Sequence, residues 1–507
     1  MTDHDAPLHV LIAAGEAYPF AKTGGLADVV GALPTALERA GQKPVVILPA
    51  YSEIRRCGRL IEDTGLRFVV PIGSKNVAGS LLRGTLPGSQ TPIFFVKQDD
   101  YFARPSLYGE KNSAYIDNCE RFTFFNRAVL EAVRLLELQV DVLHCNDWHT
   151  GLLPAFLKLE CRGVPRFENV ASLMTIHNME HQGVFWHWDM LLTGLDWRYF
   201  NWRQMEAYGK LNLMKTGIVF ADSINTVSPR YAHEIQTPEF GCRLEGVLQH
   251  RTDVLSGIIN GVDYDVWNPS TDGHLIAKYD ATTVTAGKAE NKAALQRQMG
   301  LDVQSEAPLA GFIGRMVEQK GIDLIVAVME QWAPANDLQW VLLGGNGDPE
   351  LEARIADLAR RFPCKVAVHS GYDESLAHRI EAAADLFLMP SRFEPCGLNQ
   401  LYSLKYGTVP VVHSVGGLSD TVVDASRENV RNDTATGFCF EGPNAHQLNA
   451  ALAAACATYA ERRDVWTQIQ QRGMTQDWSW DRSALDYIDL YRRTIERARA
   501  GAVALGA

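Results

Sequence analysis

The chain reads as an α/β protein made of two doubly wound, Rossmann-like parallel-sheet domains. Short apolar runs alternate with segments of helical period from His9 onward, and the same alternation restarts near Leu309. At 507 residues the chain also exceeds what a single core organises, about 250–300 residues.

In the first half, His9–Ala14 is predicted as a strand and Gly15–Gly25 as a loop. Leu26, Val29, Val30, Leu33 and Leu37 then recur at helical spacing, with a kink expected at Pro34 and a stop at Gly41. Val45–Leu48, Asp141–Cys145 and Val170–Ile176 read as further buried strands. In the second half, LAGFIG from Leu309 is a strand, Arg315–Gly321 a loop and Ile322–Trp332 a helix. Next come a strand and loop from Trp340 to Gly347, a helix Pro349–Phe362, a strand Lys365–Gly371 and a helix Glu374–Ala384. Leu386–Met389 and Val409–Val412 complete the strands, and Gly397, Leu398, Leu401 and Leu404 open a helix after the Glu394 loop. Such alternation implies parallel sheets covered on both faces, with ligands at the carboxyl ends of the strands.

The glycine-punctuated Leu255–Val262 is expected to be a hinge, giving an N-terminal domain over 1–255 and a C-terminal domain over 256–480. The remaining 481–507 is expected to form a helix packing back on the first domain. Thr271–Lys288 reads as a polar surface excursion.

Composition excludes several function classes. A formal net charge of −12 and the lack of a basic tail argue against nucleic acid and anionic membranes as partners. No apolar run is long enough to span a bilayer, and the apolar start is a first strand rather than a signal core. Nine scattered cysteines without C-x-x-C spacing fit a reducing, cytoplasmic setting and argue against disulfides or zinc.

Several loops carry candidate chemistry. Lys22-Thr23-Gly24-Gly25 joins a strand to a helix, and adjacent glycines let amides approach an anion. It lacks the G-x-x-x-x-G-K-[ST] spacing of an ATP-hydrolysing loop. Gly314–Gly321 occupies the corresponding place in the second half, where Arg315 and Lys320 are able to meet on a diphosphate. Glu394 precedes a helix N-terminus and is suited to accepting bonds from sugar hydroxyls; a carboxylate stabilised by the helix dipole is the plainer alternative. Asp147, Trp148 and His177 follow strands, which suits hydroxyl binding and ring stacking on a sugar, against the alternative of satisfied loop residues. Tyr372 is either a base-stacking ring or an ordinary half-buried aromatic. The aromatic-dense Trp186–Trp202 is either a packed lid or a carbohydrate-stacking surface.

Lys22–Pro34, His144–Leu152, Thr175–Asn178, Thr226–Ile235, Pro238–Phe240, Leu255–Pro269, Arg315–Gly321 and Ser391–Tyr402, in that order, resemble the starch/glycogen synthase family of retaining glycosyltransferases over nearly the whole chain. The resemblance implies a GT-B fold, two Rossmann-like domains facing across a cleft, and no metal or other cofactor. It implies transfer of glucose from ADP-glucose to the non-reducing 4-hydroxyl of an α-1,4-glucan such as glycogen, by front-face substitution. Carried onto this chain, it puts Lys22, Gly24, Gly25 and Asp28 near the donor phosphates and Asp147, Trp148, His177 and Asn260 on the sugar side. Arg315 and Lys320 bind the diphosphate, Glu394 with the backbone of Cys396, Gly397 and Leu398 holds glucose, and Tyr372 lies near adenine.

The chain departs from the wider pattern in three places. Tyr402 stands where many relatives of this fold carry a second Glu, Gly344–Gly347 has an extra glycine, and Thr35 replaces a common basic residue, expected at the surface. The alternatives are a UDP-sugar-dependent GT-B transferase, a glucan phosphorylase or a non-catalytic glucan-binding relative. A dehydrogenase is disfavoured because the first loop lacks G-x-G-x-x-G.

Overall fold

A computed structural model describes residues 6–110, 113–345 and 347–506. The chain forms two compact units, Met1–Gly261 with Trp480–Ala507, and Val262–Ser479.

The first unit is built on a nine-stranded sheet. Its strands are β1 (His9–Ala13), β2 (Lys43–Pro49), β3 (Glu62–Ile72), β4 (Lys75–Thr85), β5 (Pro92–Lys97), β6 (Val142–Asn146), β7 (Ala171–Ile176), β8 (Ser223–Thr226) and β9 (Leu255–Gly257). The order is β9-β8-β7-β6-β1-β2-β5-β4-β3. Strands from β9 to β5 pair in parallel, while β4 and β3 are antiparallel. Every residue of β6 and β7 is buried, as a strand covered on both faces requires. By contrast β3 alternates at its end, with Phe68, Val70 and Ile72 buried between exposed neighbours, because one face of the hairpin meets water. Helix α1 (Gly25–Arg39) buries Leu26, Val29, Val30, Leu33 and Leu37. Pro34 lies inside it, and Thr35 is half-buried rather than on the surface.

The second unit carries six parallel strands. They are β10 (Leu309–Ile313), β11 (Gln339–Gly344), β12 (Val366–Ser370), β13 (Leu386–Met389), β14 (Val409–His413) and β15 (Phe438–Phe440), in the order β12-β11-β10-β13-β14-β15. Helix α2 (Ile322–Trp332) follows β10, and α3 (Asn399–Tyr406) follows β13. Gly397 and Leu398 precede α3 rather than opening it. Asn346 of the Gly344–Gly347 turn lies outside the described residues.

Two expectations about the boundary change. Leu255–Gly257 is not a free hinge: it is edge strand β9, hydrogen-bonded to β8. The unit boundary therefore falls between Gly261 and Val262. Helix α4 (Trp480–Gly506) contributes Trp480, Ala484, Tyr487, Ile488, Leu490 and Tyr491 to the core of the first unit. A Cβ on Gly261 would lie 2.4 Å from the Trp480 Cα, so only glycine permits this approach. The Thr271–Lys288 segment is not a surface excursion either. Asp272 and Tyr279 are buried, and Asp272 Oδ2 accepts bonds from Tyr406 Oη at 2.6 Å and His378 Nδ1 at 2.7 Å.

Both sheets reverse direction once. In the first, β1 is flanked by β2 and β6; in the second, β10 is flanked by β11 and β13. The loops leaving β1 and β6, and those leaving β10 and β13, therefore open at topological switch points, where doubly wound sheets bind ligands.

Candidate active site

At the first switch point, the loop between β1 and α1 wraps around Glu16. Its carboxylate accepts from the Thr23 amide at 2.5 Å, the Gly24 amide at 3.2 Å and Tyr108 Oη at 2.8 Å. One of the glycine amides expected to face an anionic ligand, that of Gly24, thus faces an internal carboxylate together with the Thr23 amide. A buried carboxylate needs donors, and the α1 N-terminus supplies them. Glu16 and Tyr108 were not among the sequence candidates; an acidic residue at the carboxyl end of the first strand is the signal that marks Glu16. Space is open in front of Gly24 and Gly25, where a Cβ would meet nothing within 4 Å beyond the adjoining residues and the helix's own backbone. Lys22 Nζ pairs with Asp28 Oδ1 at 2.6 Å, so its charge is partly balanced at the surface.

After β6, Asp147 adopts φ 54° and ψ −176°, a conformation that costs a non-glycine residue about 1–3 kcal/mol. Its Oδ1 accepts the His177 amide at 2.8 Å, which ties the ends of β6 and β7 together. Burial raises the Asp147 carboxyl to about 7 and lowers the His177 imidazole to about 3. The neutral His177 places Nε2 2.9 Å from Asn146 Oδ1, an acceptor, which assigns the proton to Nε2 and leaves Nδ1 as an acceptor. Asn146 is itself held by its Nδ2 on the Ala13 carbonyl at 3.2 Å.

Trp148 does not present a face for stacking. It is 8% exposed, and its ring packs on Phe122 at 4.7 Å and Phe185 at 5.7 Å. A Cβ on Gly183 would stand 2.4 Å from it. Its apolar surface is spent on packing, so it forms the wall behind Asp147. His144 is likewise structural, with Nδ1 2.9 Å from Tyr491 Oη and Nε2 2.8 Å from Thr175 Oγ1. Asn260 is 5% exposed, and its amide oxygen has no hydrogen-bond partner among the described residues.

At the second switch point, Lys320 Nζ lies 2.7 Å from Glu394 Oε2, and Ser391 Oγ donates to the same oxygen at 3.0 Å. A close backbone approach and a side-chain fork bring these loops together. Gly321 has φ 68° and a Cβ there would meet the Pro390 carbonyl at 2.2 Å. Arg392, missed in the sequence, forks onto Asp323 at 2.9 and 2.8 Å and also binds the Glu318 carbonyl at 2.6 Å. Arg315 is exposed and donates to Gln319 Oε1 at 3.2 Å.

Cys396 is buried, and its carbonyl accepts from Gln400 Nε2 at 2.9 Å. Gly397 takes φ 74° just before α3, so this turn runs its backbone directly into a helix N-terminus. Tyr372, after β12, is 72% exposed. The second unit thus carries Arg315, Lys320, Tyr372, Glu394, Cys396, Gly397 and Leu398; the first carries Lys22, Gly24, Gly25, Asp28, Asp147, Trp148, His177 and Asn260.

Residues 9–250 match the starch synthase catalytic domain, and residues 299–472 match glycosyl transferases group 1. The glycogen synthase of Rhodopirellula baltica is 45% identical over 507 residues, covering 97% of this chain and 100% of that protein. The glycogen synthase of Anaeromyxobacter dehalogenans (strain 2CP-C) is 46% identical, over 96% of this chain and 99% of its own. The chain belongs to the glycogen synthase family.

This glycogen synthase family member is a glycosyltransferase with the GT-B fold. The catalytic domain of starch synthase IV from Arabidopsis thaliana, solved bound to ADP and acarbose, matches with a TM-score of 0.86 and 32% identity, covering 97% of this chain and 100% of its own. A sucrose-phosphate synthase from Thermosynechococcus elongatus, at 17% identity and a TM-score of 0.56, shares the fold alone. No described helix is long and apolar enough to cross a membrane.

Proposed function

We propose that this glycogen synthase family member transfers glucose from ADP-glucose to the non-reducing 4-hydroxyl of an α-1,4-glucan with retention of configuration. The carrying observation is the Lys320–Glu394 pair at 2.7 Å beside the N-terminus of α3. A sugar diphosphate needs a fixed cation at its phosphates and a carboxylate at its hydroxyls, and this pair supplies both.

The second unit is assigned the donor and the first the acceptor. Arg315 and Lys320 hold the diphosphate, whose charge grows as the bond from C1 to its oxygen breaks. The acceptor oxygen forms the new bond to C1, and its proton passes to the departing diphosphate. Glu394 orients glucose and stabilises positive charge at C1, with the backbone of Cys396, Gly397 and Leu398 at the donor. Tyr372 stacks on adenine. Asp147 and Asn260 bind hydroxyls, backed by Trp148, and the Nδ1 of His177 accepts from another hydroxyl.

The test offers ADP-glucose and UDP-glucose separately with glycogen and measures nucleotide release. The expected result is preference for ADP-glucose, with Glu394→Ala lowering kcat by at least about 100-fold while its melting curve persists. Preference for UDP-glucose would reassign the donor, and near-parental turnover by the variant would remove Glu394 from the site.

A further inference from the structure

One side chain of the second unit is gripped on both faces. The indole of Trp267 lies 3.8 Å from the His378 ring at 8° and 3.9 Å from the Tyr402 ring at 4°. Carbon atoms touch at about 3.5–4.0 Å, so this three-ring stack has no slack along its axis. Aromatic pairs ordinarily prefer offset or edge-on arrangements, so parallel rings at this separation are held there by their surroundings. His378, on the helix Glu374–Ala383, is 1% exposed and donates from Nδ1 to Asp272 Oδ2 at 2.7 Å. Asp272 is fixed in turn by the His274 amide at 2.8 Å and Tyr406 Oη at 2.6 Å. Trp267 belongs to the segment that opens the second unit. Its amide donates to the Asp263 carbonyl at 2.8 Å, and the Val262 amide donates to the Trp478 carbonyl at 2.7 Å. Tyr264 of the same segment accepts the Trp478 amide at 2.9 Å, and the Lys405 ammonium of α3 stands 4.2 Å over its ring.

The third ring of the stack leads to the site. Tyr402 stands in the first turn of α3, and its amide closes that turn on the Leu398 carbonyl at 3.0 Å. Two neighbours in the turn act on the loops assigned to the donor. Asn399 Nδ2 donates to the Ile313 carbonyl at 2.7 Å, at the end of β10 ahead of Arg315. Gln400 Nε2 turns back onto the Cys396 carbonyl at 2.9 Å and the Gly397 carbonyl at 3.3 Å. A hydrogen-bonded helical turn moves as a unit, so the place of the Tyr402 ring sets where those contacts fall.

We infer that Trp267 is a positioning residue for the nucleotide-sugar donor. Through Tyr402 it fixes the first turn of α3, and with it the Cys396–Leu398 backbone and the strand end ahead of Arg315. Every group it acts on belongs to the donor side, so its loss is expected to weaken donor binding and to leave glucan binding alone. The inference rests on the proposed reading of a sugar nucleotide held by the second unit.

Its test compares the parent protein with Trp267→Leu, Tyr402→Leu and their double variant, and with Trp267→Phe and Tyr402→Phe, which keep a flat ring. Calorimetry measures the Kd for ADP and, separately, for UDP. Kinetics measure KM for ADP-glucose at saturating glycogen and for glycogen at saturating ADP-glucose, and urea denaturation reports the fold. Each Leu variant is expected to raise the Kd for ADP and the KM for ADP-glucose about tenfold, the order of factor that one stacked pair supplies. The KM for glycogen stays within about twofold, and the Phe variants recover most of the loss. The double Leu variant is no worse than the poorer single one, because both remove one contact. A folded Tyr402→Leu that binds ADP as the parent does would overturn the inference, as would donor and glucan KM values that rise together, or Leu effects that add. Should Trp267→Leu fail to fold, Tyr402→Leu, which removes a half-buried ring, decides the matter. A shift read on UDP in place of ADP would keep the role of the stack while replacing the proposed donor.

Discussion

Glu394 is 6% exposed, and its charge is balanced by one cation and one hydroxyl. Removing Lys320 would leave that carboxylate buried and unpaired, which is the costly way to break an ion pair. Lys320→Ala is therefore expected to lose about 3 kcal/mol of stability, and Lys320→Ala/Glu394→Ala to lose less than the sum of its two single variants. Urea denaturation of the four proteins measures this; additive effects would show the pair to be uncoupled. Both residues were legible in the sequence because each sits in a polar loop just after an apolar run. Glu16 was not read as a site residue: its place at the end of the first strand is a local signal, but its role rests on contacts with Thr23, Gly24 and the distant Tyr108.

At the scale of elements, a buried polar seam joins the helices Val284–Met299 and Glu374–Ala383 to α3. Lys288 Nζ donates to the Ala382 carbonyl at 3.1 Å, the Tyr406 carbonyl at 3.3 Å and Thr408 Oγ1 at 2.7 Å. Ser403 Oγ donates to Glu381 Oε2 at 2.8 Å, while Glu381 Oε1 has no partner among the described residues. Burial raises the Glu381 carboxyl from 4.5 to about 8 and lowers the Lys288 ammonium to about 7. The folded state binds the Glu381 proton more tightly than the unfolded chain does. Its stabilising contribution is complete below pH 4.5 and is lost as pH rises through about 8. Glu381→Gln removes that titration, while Lys288 remains in both proteins. The variant's stability relative to the parent is thus expected to climb between about pH 5 and pH 9. Chemical denaturation at several pH values checks this, and a flat difference would refute it. Alternation of strands and helices revealed Glu374–Ala383 and α3, whereas the start of Val284–Met299 read as a surface excursion, and nothing local showed that Lys288 and Glu381 share a dry seam.

At the scale of the molecule, the chain returns to its first unit through α4. Trp480, Tyr487, Ile488, Leu490 and Tyr491 enter that core, and Tyr491 bonds His144. Burying five large side chains at about 1.5–3 kcal/mol each matches the whole stability of a typical domain, about 5–15 kcal/mol. Truncation after Ser479 is therefore expected to abolish cooperative unfolding of the first unit and to expose apolar surface. Dye binding and near-ultraviolet circular dichroism would reveal this; a native signal with a sharp transition would contradict it.

What the sequence by itself determined was local: the strands and helices that flank the candidate loops, and which of those polar loops lie at strand ends. Those follow from periodicity, glycine placement and turn chemistry, all of which act over a few residues. Only the tertiary structure decided that the loops of β1 with β6, and of β10 with β13, open at switch points. It also decided that Trp148 is walled in while Trp186 and Trp202 stand free of the core, and that Leu255–Gly257 is an edge strand. These outcomes depend on partners far apart in the chain, such as His144 and Tyr491, 347 positions apart. Contacts at that separation arise from the strand order of the whole sheet, which no local window contains.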